Sequence, residues 1–446
     1  MDVIAEAGPR IDERAGVPRL PQPVDWLLQR ANLPDGRTDM DVALAGDRIV
    51  ACAPRLNCVA GHTLDLAGRL LSPAFVESHL HLDAVLMNEG PEAGRPEPYE
   101  SLAGLNAAME RRRRAFTRAD IEERAGRAVE LALSHGVTAI RAQCQIDPEI
   151  GLKHLEALVA VRERYADSLT LQIVAFPQQG LLRLPGTLDL FRAALRGGAD
   201  VMGCAPNLER GAVDFRRHID AAYALALEAG VDVDAHVDLV LADEAGLDDL
   251  EVVHLARRAL DYGYQGRVVA GHVCTLDSAA PDTAALACAL LAQAGVSVIS
   301  QPDLYRLGRE DRQHVRRGLT RVKALLAAGV NVALASNNVR DAFRPLGNFD
   351  LLQEALILAF GAHMDTVDEL AALLRMTTTH PARALRLPAY GLTPGDVADL
   401  VVLDAPTASA AVVGQVDKRY VFQRGRLVAT NQTLRERLSG PLLQRQ

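Results

Sequence analysis

Aromatic side chains are scarce in this sequence of 446 residues, where they make up 4% of the total with a single tryptophan. A basic stripe is also lacking, and the net charge is −9 at pH 7, which argues against a protein that binds nucleic acid. No apolar run is long enough to span a bilayer, and the N-terminus has no hydrophobic signal core. We therefore expect a soluble cytoplasmic protein that binds a small molecule and contacts neither nucleic acid nor a membrane.

Cysteine pairs at metal-binding or redox spacing are absent as well. The six cysteines are scattered without a C-x-x-C motif, which favours reduced and mostly buried thiols over a disulfide framework. The one basic cluster, "ERRRRAF" at 110–116, lies in a helical pattern, and we expect it to form a solvated helix face rather than a phosphate site. No glycine-rich phosphate motif follows the first apolar strand, which argues against a dinucleotide-binding sheet.

A repeating pattern of a short apolar run, a polar loop and an amphipathic helix begins near residue 69. Apolar strands that alternate with helices ending in glycine are typical of a parallel sheet covered on both faces. Eight such runs predict an α/β fold, the (β/α)₈ TIM barrel, with an open doubly wound sheet as the alternative. The eight runs are RLLSPAFVESHLHLD, GVTAIRAQCQID, LTLQIVAFPQ, ADVMGCAPN, VDVDAHVDL, GRVVAGHVC, VSVISQPD and VNVALASNN.

Two β-rich regions flank the barrel pattern, and neither is large enough to form a core of its own. Their strand-like stretches lie at 40–54, 62–73, 395–406 and 416–430. We expect these stretches to pair in one small β-sandwich domain built from both chain ends. The predicted division is residues 1–70 and 391–446 for the two parts of the β-domain and 71–390 for the barrel.

Four histidines fall at the ends of predicted barrel strands, where the catalytic groups of such barrels lie. In "FVESHLHLDAVL" (75–86), His79 and His81 are two residues apart, so both side chains point to the same face of the strand. His236 ends the fifth strand and His272 ends the sixth. Imidazoles from three strands that converge on one barrel mouth predict a site for a divalent metal.

These motifs and several others resemble the cytosine-deaminase-like branch of the amidohydrolase superfamily over nearly the whole chain. The matching stretches are PAFVESHLHLD, LQIVAFPQQG, HVD, GH, RRGLTRVKALLAAGVNVALAS, NNVRDAF followed by PLG, and GLTPGDVADLVVLD. The resemblance implies a hydrolase of carbon–nitrogen bonds other than peptide bonds, which acts on a small, nitrogen-rich and cyclic substrate. It also implies a homo-oligomer.

The same resemblance assigns roles to residues of this sequence. His79, His81 and His236 would bind zinc or iron. His272 would orient the attacking water, and Gln178 would hydrogen-bond a planar heterocycle through its amide. Two acids would then move protons, one on the eighth strand and one three residues after His236.

The sequence departs from the family pattern at these two acids. Asn337 stands on the eighth strand where the family has a metal-binding Asp, and Leu239 stands where the family has a proton-shuttling Glu. On the second strand, Gln143 occupies a position where relatives often have His. Asn does not act as a base, and Leu neither donates nor accepts a proton. Two groups that typically contribute ~10²–10⁴-fold each are therefore missing.

Three explanations stay open at this level. The protein is a deaminase-like hydrolase with relocated acids and a metal, since three imidazoles alone can hold zinc. Alternatively, it catalyses a cyclisation, dehydration or isomerisation, with or without a metal, or it is a non-catalytic relative that binds a ligand. The candidate catalytic residues are His272, Asp303, Asn337 and Asp341, and the candidate substrate contacts are Gln143, Gln178 and Asp238.

Overall fold

The computed structural model describes residues 10–12, 17–20, 22–89, 102–209, 212–239, 245–302 and 318–433. The first seven strands are β1 (Arg10–Asp12), β2 (Val17–Arg19), β3 (Val24–Ala31), β4 (Met40–Ala45), β5 (Arg48–Ala53), β6 (Ala60–Asp65) and β7 (Leu70–Pro73). Strands β1 and β2 pair with each other, and the next four form a sheet in the order β5-β4-β3-β6. The strand β3 is a central member of this sheet, although it lies outside the stretches predicted as strands.

Eight parallel strands, each hydrogen-bonded to the next one along the chain, form the barrel. They are β8 (Phe75–Leu80), β9 (Val137–Gln145), β10 (Thr170–Phe176), β11 (Val201–Cys204), β12 (Asp232–Val237), β13 (Val268–His272), β14 (Ser297–Ser300) and β15 (Val332–Leu334). The ends of β8 and β15 meet where Asn337 N donates to His79 O and His81 N donates to Asn337 O, both at 2.9 Å. The predicted TIM barrel is confirmed, and its last seam closes at two of the predicted site histidines.

Helices cover the barrel, and their apolar faces join one large core with the strands. They are α1 (Leu102–Ala115), α2 (Arg118–Ser134), α3 (Lys153–Arg164), α4 (Thr187–Arg196), α5 (Ala212–Ala229), α6 (Glu251–Asp261), α7 (Thr275–Ser278), α8 (Pro281–Gln293), α9 (Val322–Ala327), α10 (Leu351–Gly361), α11 (Val367–Thr377), α12 (Thr379–Ala384) and α13 (Ala408–Gly414). Capping residues in the sequence fix where two of these helices begin. The Thr117 side chain accepts from Asp120 N at the start of α2, and Thr366 and Glu369 form a capping box at the start of α11.

The chain returns to the N-terminal sheet region through β16 (Leu400–Leu403), β17 (Lys418–Gln423) and β18 (Arg426–Thr430). These strands join β7 in a second sheet of the order β18-β17-β16-β7. One buried cluster contains side chains from both sheets, among them Leu28, Val42, Leu71, Leu400 and Phe422. The predicted β-sandwich built from both chain ends is therefore present.

All six cysteines lie in the described part of the chain, and none of them forms a disulfide. Four are buried and two are half-buried. Among the described helices, none combines the length and the apolar character needed to cross a membrane.

Candidate metal centre and cavity

The Nε2 atom of His236 lies close to a ring nitrogen of His79 and to one of His81, at the end of β8. His79 and His81 occupy alternate positions in the chain, and both side chains are buried. Nε2 of His236, near the end of β12, lies 2.9 Å from Nε2 of His79 and 3.2 Å from Nε2 of His81. The structure therefore brings together the three residues that the sequence assigns to metal binding.

His272, the last residue of β13, joins this cluster from a fourth position. His79, His236 and His272 each offer a ring nitrogen, and these nitrogens lie within 4.8 Å of one another. The preceding residue, Gly271, faces the His79 ring: a Cβ atom added there would lie 3.1 Å from His79 Cε1. Glycine at this position therefore lets β13 approach the cluster without displacing His79.

Backbone conformations at the strand ends are unusual. Asp238, His272 and Asn337 have φ angles of 53°, 72° and 62°, in the left-handed region that residues with a side chain rarely adopt. Each such residue costs about 1–3 kcal/mol, which the surrounding barrel must compensate. Fifteen described residues other than glycine have φ angles of this kind, and three of them are predicted site residues, so the conformation occurs at the site without being confined to it.

The three converging nitrogens fit a bound cation better than a hydrogen-bonded cluster. Each ring nitrogen carries at most one hydrogen, and His236 Nε2 faces two other Nε2 atoms at once, so the three atoms cannot all pair with each other. Nitrogens bound at ~2.0–2.1 Å in tetrahedral zinc geometry lie ~3.3 Å apart, close to the two distances from His236 Nε2. Burial, then the charges of Arg113 and His79, lower the pKa of His81 well below its usual value, which keeps this ring neutral.

Asp234 supports His79 from inside the barrel. Its Oδ1 lies 3.6 Å from His79 Nδ1, and its Oδ2 accepts from Arg141 Nη1 at 3.1 Å. Burial alone would raise the pKa of Asp234, but hydrogen bonds and charges of His79 and Arg141 bring it below its usual value. A carboxylate behind a metal-binding imidazole commonly holds the ring in its binding orientation.

A cavity of about 410 Å³, counting its open mouth, lies in front of the histidines. Its imidazole wall is formed by His81, His236 and His272. Four apolar side chains form another wall: Phe176, Leu208, Leu239 and Phe343. The remaining described lining is made of side-chain amides, from Gln178, Asn207, Asn337 and Asn338. No carboxylate lines the cavity within the described ranges, so its surface is suited to a neutral polar ring with an apolar substituent.

The relocated acids predicted from the sequence do not all reach this cavity. The carboxyl oxygens of Asp238 accept from the backbone N–H groups of Glu251 and Val252, at 2.9 and 3.0 Å, and thereby cap the start of α6. Asp341 accepts from the backbone N–H groups of Phe343 and Arg344, both at 2.9 Å. Both carboxyl groups thus anchor backbone, as short polar side chains do at helix starts and turns.

Some of the other predicted site residues line the cavity, and others do not. His272, Asn337 and Gln178 line the cavity. Gln143 does not: its Nε2 donates to Asp234 Oδ1 at 3.0 Å and lies 3.3 Å from His79 Nδ1, so it supports the cluster from behind. Asp303 lies outside the described residues.

The basic cluster at 110–116 forms a solvated face only in part, since Arg111 and Arg114 are exposed and Arg113 is not. Arg113 is fully buried, and its Nη1 donates to Gln178 Oε1 at 3.0 Å and to Gln145 Oε1 at 2.5 Å. Arg112 also bonds protein groups, Asn88 Oδ1 and Met87 O. The charge run conceals this role because helical periodicity alone does not distinguish an arginine that faces solvent from one that faces a buried acceptor. Asn338, which also lines the cavity, was missed for a similar reason, since it follows Asn337 directly and carries no separate signal.

Comparison with known families agrees with this architecture. The model of the amidohydrolase family matches residues 96–429. The chain belongs to the amidohydrolase family. This amidohydrolase is 26% identical to the N-isopropylammelide isopropyl amidohydrolase of Pseudomonas sp. (strain ADP), over 92% of this chain and 98% of that one. It is 30% identical to the pterin deaminase of Rhizobium rhizogenes, over 82% of each chain.

A solved structure is similar to the amidohydrolase over almost its full length. The 5-methylcytosine deaminase from Klebsiella pneumoniae, liganded with phosphonocytosine, superposes with a TM-score of 0.85 at 30% identity and covers 92% of this chain and 100% of its own. The predicted relation to the cytosine-deaminase-like branch is therefore confirmed, and so is the enzyme class, a hydrolase of carbon–nitrogen bonds.

Proposed function

We propose that this amidohydrolase uses a divalent metal to remove an amino or alkylamino group from a small, neutral, nitrogen-rich ring. The proposal depends on one observation, the convergence of Nε2 atoms from His79, His81 and His236 beside a cavity lined by amide and apolar side chains. Relatives named for isopropylammelide, pterin and 5-methylcytosine support a ring substrate of this kind.

The residues present fit a metal. His79, His81 and His236 would hold zinc or iron, with the amide oxygen of Asn337 as a neutral neighbour. When bound, such a cation lowers the pKa of a water molecule towards neutrality and polarises the carbon–nitrogen bond under attack. All these ligands are neutral, so they leave the cation its full charge, which partly compensates for the missing Asp at 337.

The remaining steps fall to side chains of the cavity. His272 faces the same space as the metal ligands, and an imidazole exchanges protons near neutral pH, so it takes the proton of the attacking water and passes it to the leaving nitrogen. Gln178 binds the far edge of the ring. Leu208, Leu239 and Phe343 exclude water and pack against an alkyl group on the leaving nitrogen.

The test is amine release from three compounds, N-isopropylammelide, pterin and 5-methylcytosine, by purified enzyme whose metal content is known. We expect release of isopropylamine or ammonia that a chelator abolishes and added zinc or iron restores. Consumption of a ring compound without amine release would favour the cyclase, dehydratase or isomerase alternative.

The homo-oligomer and the cytoplasmic location stay predictions. Sedimentation of the purified protein tests the first of them, with a mass above the 48.0 kDa of one chain as the expected result.

A further inference from the structure

Arg113 forms the centre of a buried hydrogen-bond chain behind the cavity. It lies on α1, and its Nη1 donates to both Gln145 Oε1 and Gln178 Oε1. Gln145 lies at the end of β9, and Gln178 follows β10 and lines the cavity. The guanidinium therefore links a helix and two strand ends to one wall of the binding space.

The donors and acceptors in this series of hydrogen bonds determine which way each glutamine amide points. A guanidinium has donors and no acceptor, so an amide next to it must present its oxygen. The opposite end of Gln145 confirms this orientation, because its Nε2 donates to Asp147 Oδ2 at 2.5 Å. Asp147 acts as an acceptor throughout, since its Oδ1 receives the backbone N–H groups of Glu149 and Ile150.

The charge of Arg113 is compensated without using Gln178. Asp83 Oδ1 lies 3.9 Å from Arg113 Nη2, and both side chains have no solvent exposure. A second buried partner, His154, bonds the other oxygen of Asp83 at 2.7 Å. At 3.9 Å this pair compensates charge without a hydrogen bond, and the two hydrogen bonds of Arg113 Nη1 fix the position of the guanidinium.

The amide nitrogen of Gln178 is left for the cavity. Its oxygen accepts from Arg113, so Nε2 points away from the guanidinium. Within the described residues, no hydrogen bond uses this nitrogen, and it is not among the polar atoms sealed inside the protein. The cavity wall at Gln178 is therefore a hydrogen-bond donor with a fixed direction.

We propose that Arg113 is a positioning residue that locks Gln178 as a donor, so that the site selects rings with a carbonyl on the facing edge over rings with an amino group there. The ring class rests on the function proposed above. A carbonyl oxygen accepts the Nε2 hydrogen, whereas an amino group points a hydrogen at a donor and leaves both groups unpaired. Sites that hydrogen-bond one polar group strongly reject an analogue that cannot pair with it.

The test compares two triazines with the same isopropylamino group. N-isopropylammelide carries ring carbonyls, and 2,4-diamino-6-isopropylamino-1,3,5-triazine carries amino groups in their place. Dissociation constants from calorimetry and kcat/KM from isopropylamine release are measured for both. We expect the wild-type enzyme to favour the carbonyl compound by at least about tenfold.

Variants at positions 113 and 178 separate positioning from a merely structural role. Arg113→Lys keeps a donor-only group, so the preference should persist. In Arg113→Gln the new amide both donates and accepts, so Gln178 can turn and the preference should fall to about threefold or less. Gln178→Glu pairs with Arg113 and offers only acceptors, so it should invert the preference. If Arg113 had a purely structural role, its variants would lower the affinity for both compounds equally and leave the ratio of the two affinities unchanged.

The outcomes are distinguishable from those of the proposed function. Equal affinity of the wild-type enzyme for the two compounds overturns the positioning role, even where amine release from either compound upholds the hydrolase. Unequal affinity in the expected sense supports it, even where no amine is released. An unchanged ratio in Arg113→Gln, or binding of neither compound at millimolar concentration, also overturns it.

Discussion

Nε2 of His236 lies 2.9 Å from Nε2 of His79, and the described walls of the adjoining cavity carry no carboxylate. In the family pattern, an Asp and a Glu would stand at the positions of Asn337 and Leu239. Their replacement removes negative charge from the site and leaves the imidazoles in place. The proton chemistry is therefore expected to differ from the family pattern more than the metal binding does.

Asn337→Asp tests the effect of charge on the acidity of the site. A carboxylate beside the cation would partly neutralise it and make the attacking water less acidic, so the acidic limb of kcat/KM against pH should move upward by about one unit or more. Asn207→Asp is the matched control, because it adds the same charge to the cavity lining at a position that is not among the proposed metal-binding residues or their neighbour Asn337. Equal shifts in the two variants would contradict a specific role for position 337.

Leu239→Glu tests the apolar wall. A carboxylate in this wall would be poorly solvated next to Leu208 and Phe343, and it would remove the contact for an alkyl group. We expect kcat/KM for N-isopropylammelide to fall by about 10–200-fold, the usual range for a lost apolar contact in a pocket. Ammonia release from 5-methylcytosine should fall less or rise. Leu239→Met, which keeps an apolar surface of similar volume, should change either rate little.

Arg344 and Glu354 form a buried ion pair that holds the loop after β15. Arg344 Nη2 donates to Glu354 Oε1 at 2.7 Å, and Nη1 donates to Ser336 O at 3.1 Å, one residue before Asn337. Arg344→Met should lower the free energy of unfolding by about 3–5 kcal/mol, because it leaves a buried carboxylate uncompensated. The double variant Arg344→Met/Glu354→Leu should lose less than the single one. Urea denaturation measures these variants and the single variant Glu354→Leu, and a double-variant loss equal to the sum of the two single losses would show that the two side chains are not coupled.

The buried carboxyl group of Glu251 makes the free energy of unfolding decrease as the pH rises. Its Oε2 accepts from Asp238 N at 2.8 Å, and burial, followed by the charge of Asp238, raises the pKa of Glu251 well above its usual value. The folded state thus holds this proton more tightly than the unfolded chain does, so the stabilising effect is complete below the usual glutamate pKa of 4.5 and is lost as the pH rises through the raised pKa of the folded state.

Glu251→Gln should remove this dependence and keep the hydrogen bond, because the amide oxygen still accepts from Asp238 N. Relative to wild type, the variant should gain stability as the pH rises from 5 to 8. Thermal or urea unfolding across this range gives the measurement. Glu156→Gln, at an exposed position on α3, is the control and should show no such trend; a parallel trend there would rule out a specific effect of burial.

Regular features of the fold were predictable from the sequence, because hydrophobic periodicity records which face of each element is buried. Each of the eight apolar runs contains a barrel strand, although the first run also includes β7, which pairs with β16 in the terminal sheet. The strand Val24–Ala31 was missed because Asp25, Gln29 and Arg30 interrupt its apolar pattern, and its neighbours in the sheet compensate for this.

Site residues were predictable where their spacing in the sequence determines which way they face. They were not predictable where their orientation depends on hydrogen-bond partners distant in the sequence. His79 and His81, two residues apart on one strand, indicated a shared face, and the rings converge with His236. Asp238 was expected to face the substrate, but the N–H groups at the start of α6 hold its carboxyl. Nothing in "ERRRRAF" distinguishes the third arginine from its neighbours, because its role depends on Gln178, which is 65 residues away in the chain.

The most direct test of the metal centre is the metal-edge anomalous signal in a crystal of enzyme loaded with zinc. We expect one ion bound by imidazole nitrogens of His79, His81 and His236 at ~2.0–2.1 Å, with no carboxylate among its ligands. His236→Ala should reduce the zinc content of the purified protein from about one per chain to about one tenth of that value or less, since loss of a ligand from a three-ligand site weakens binding severely. An ion at another place, an acid in its coordination sphere, or unchanged zinc content in His236→Ala would contradict the account.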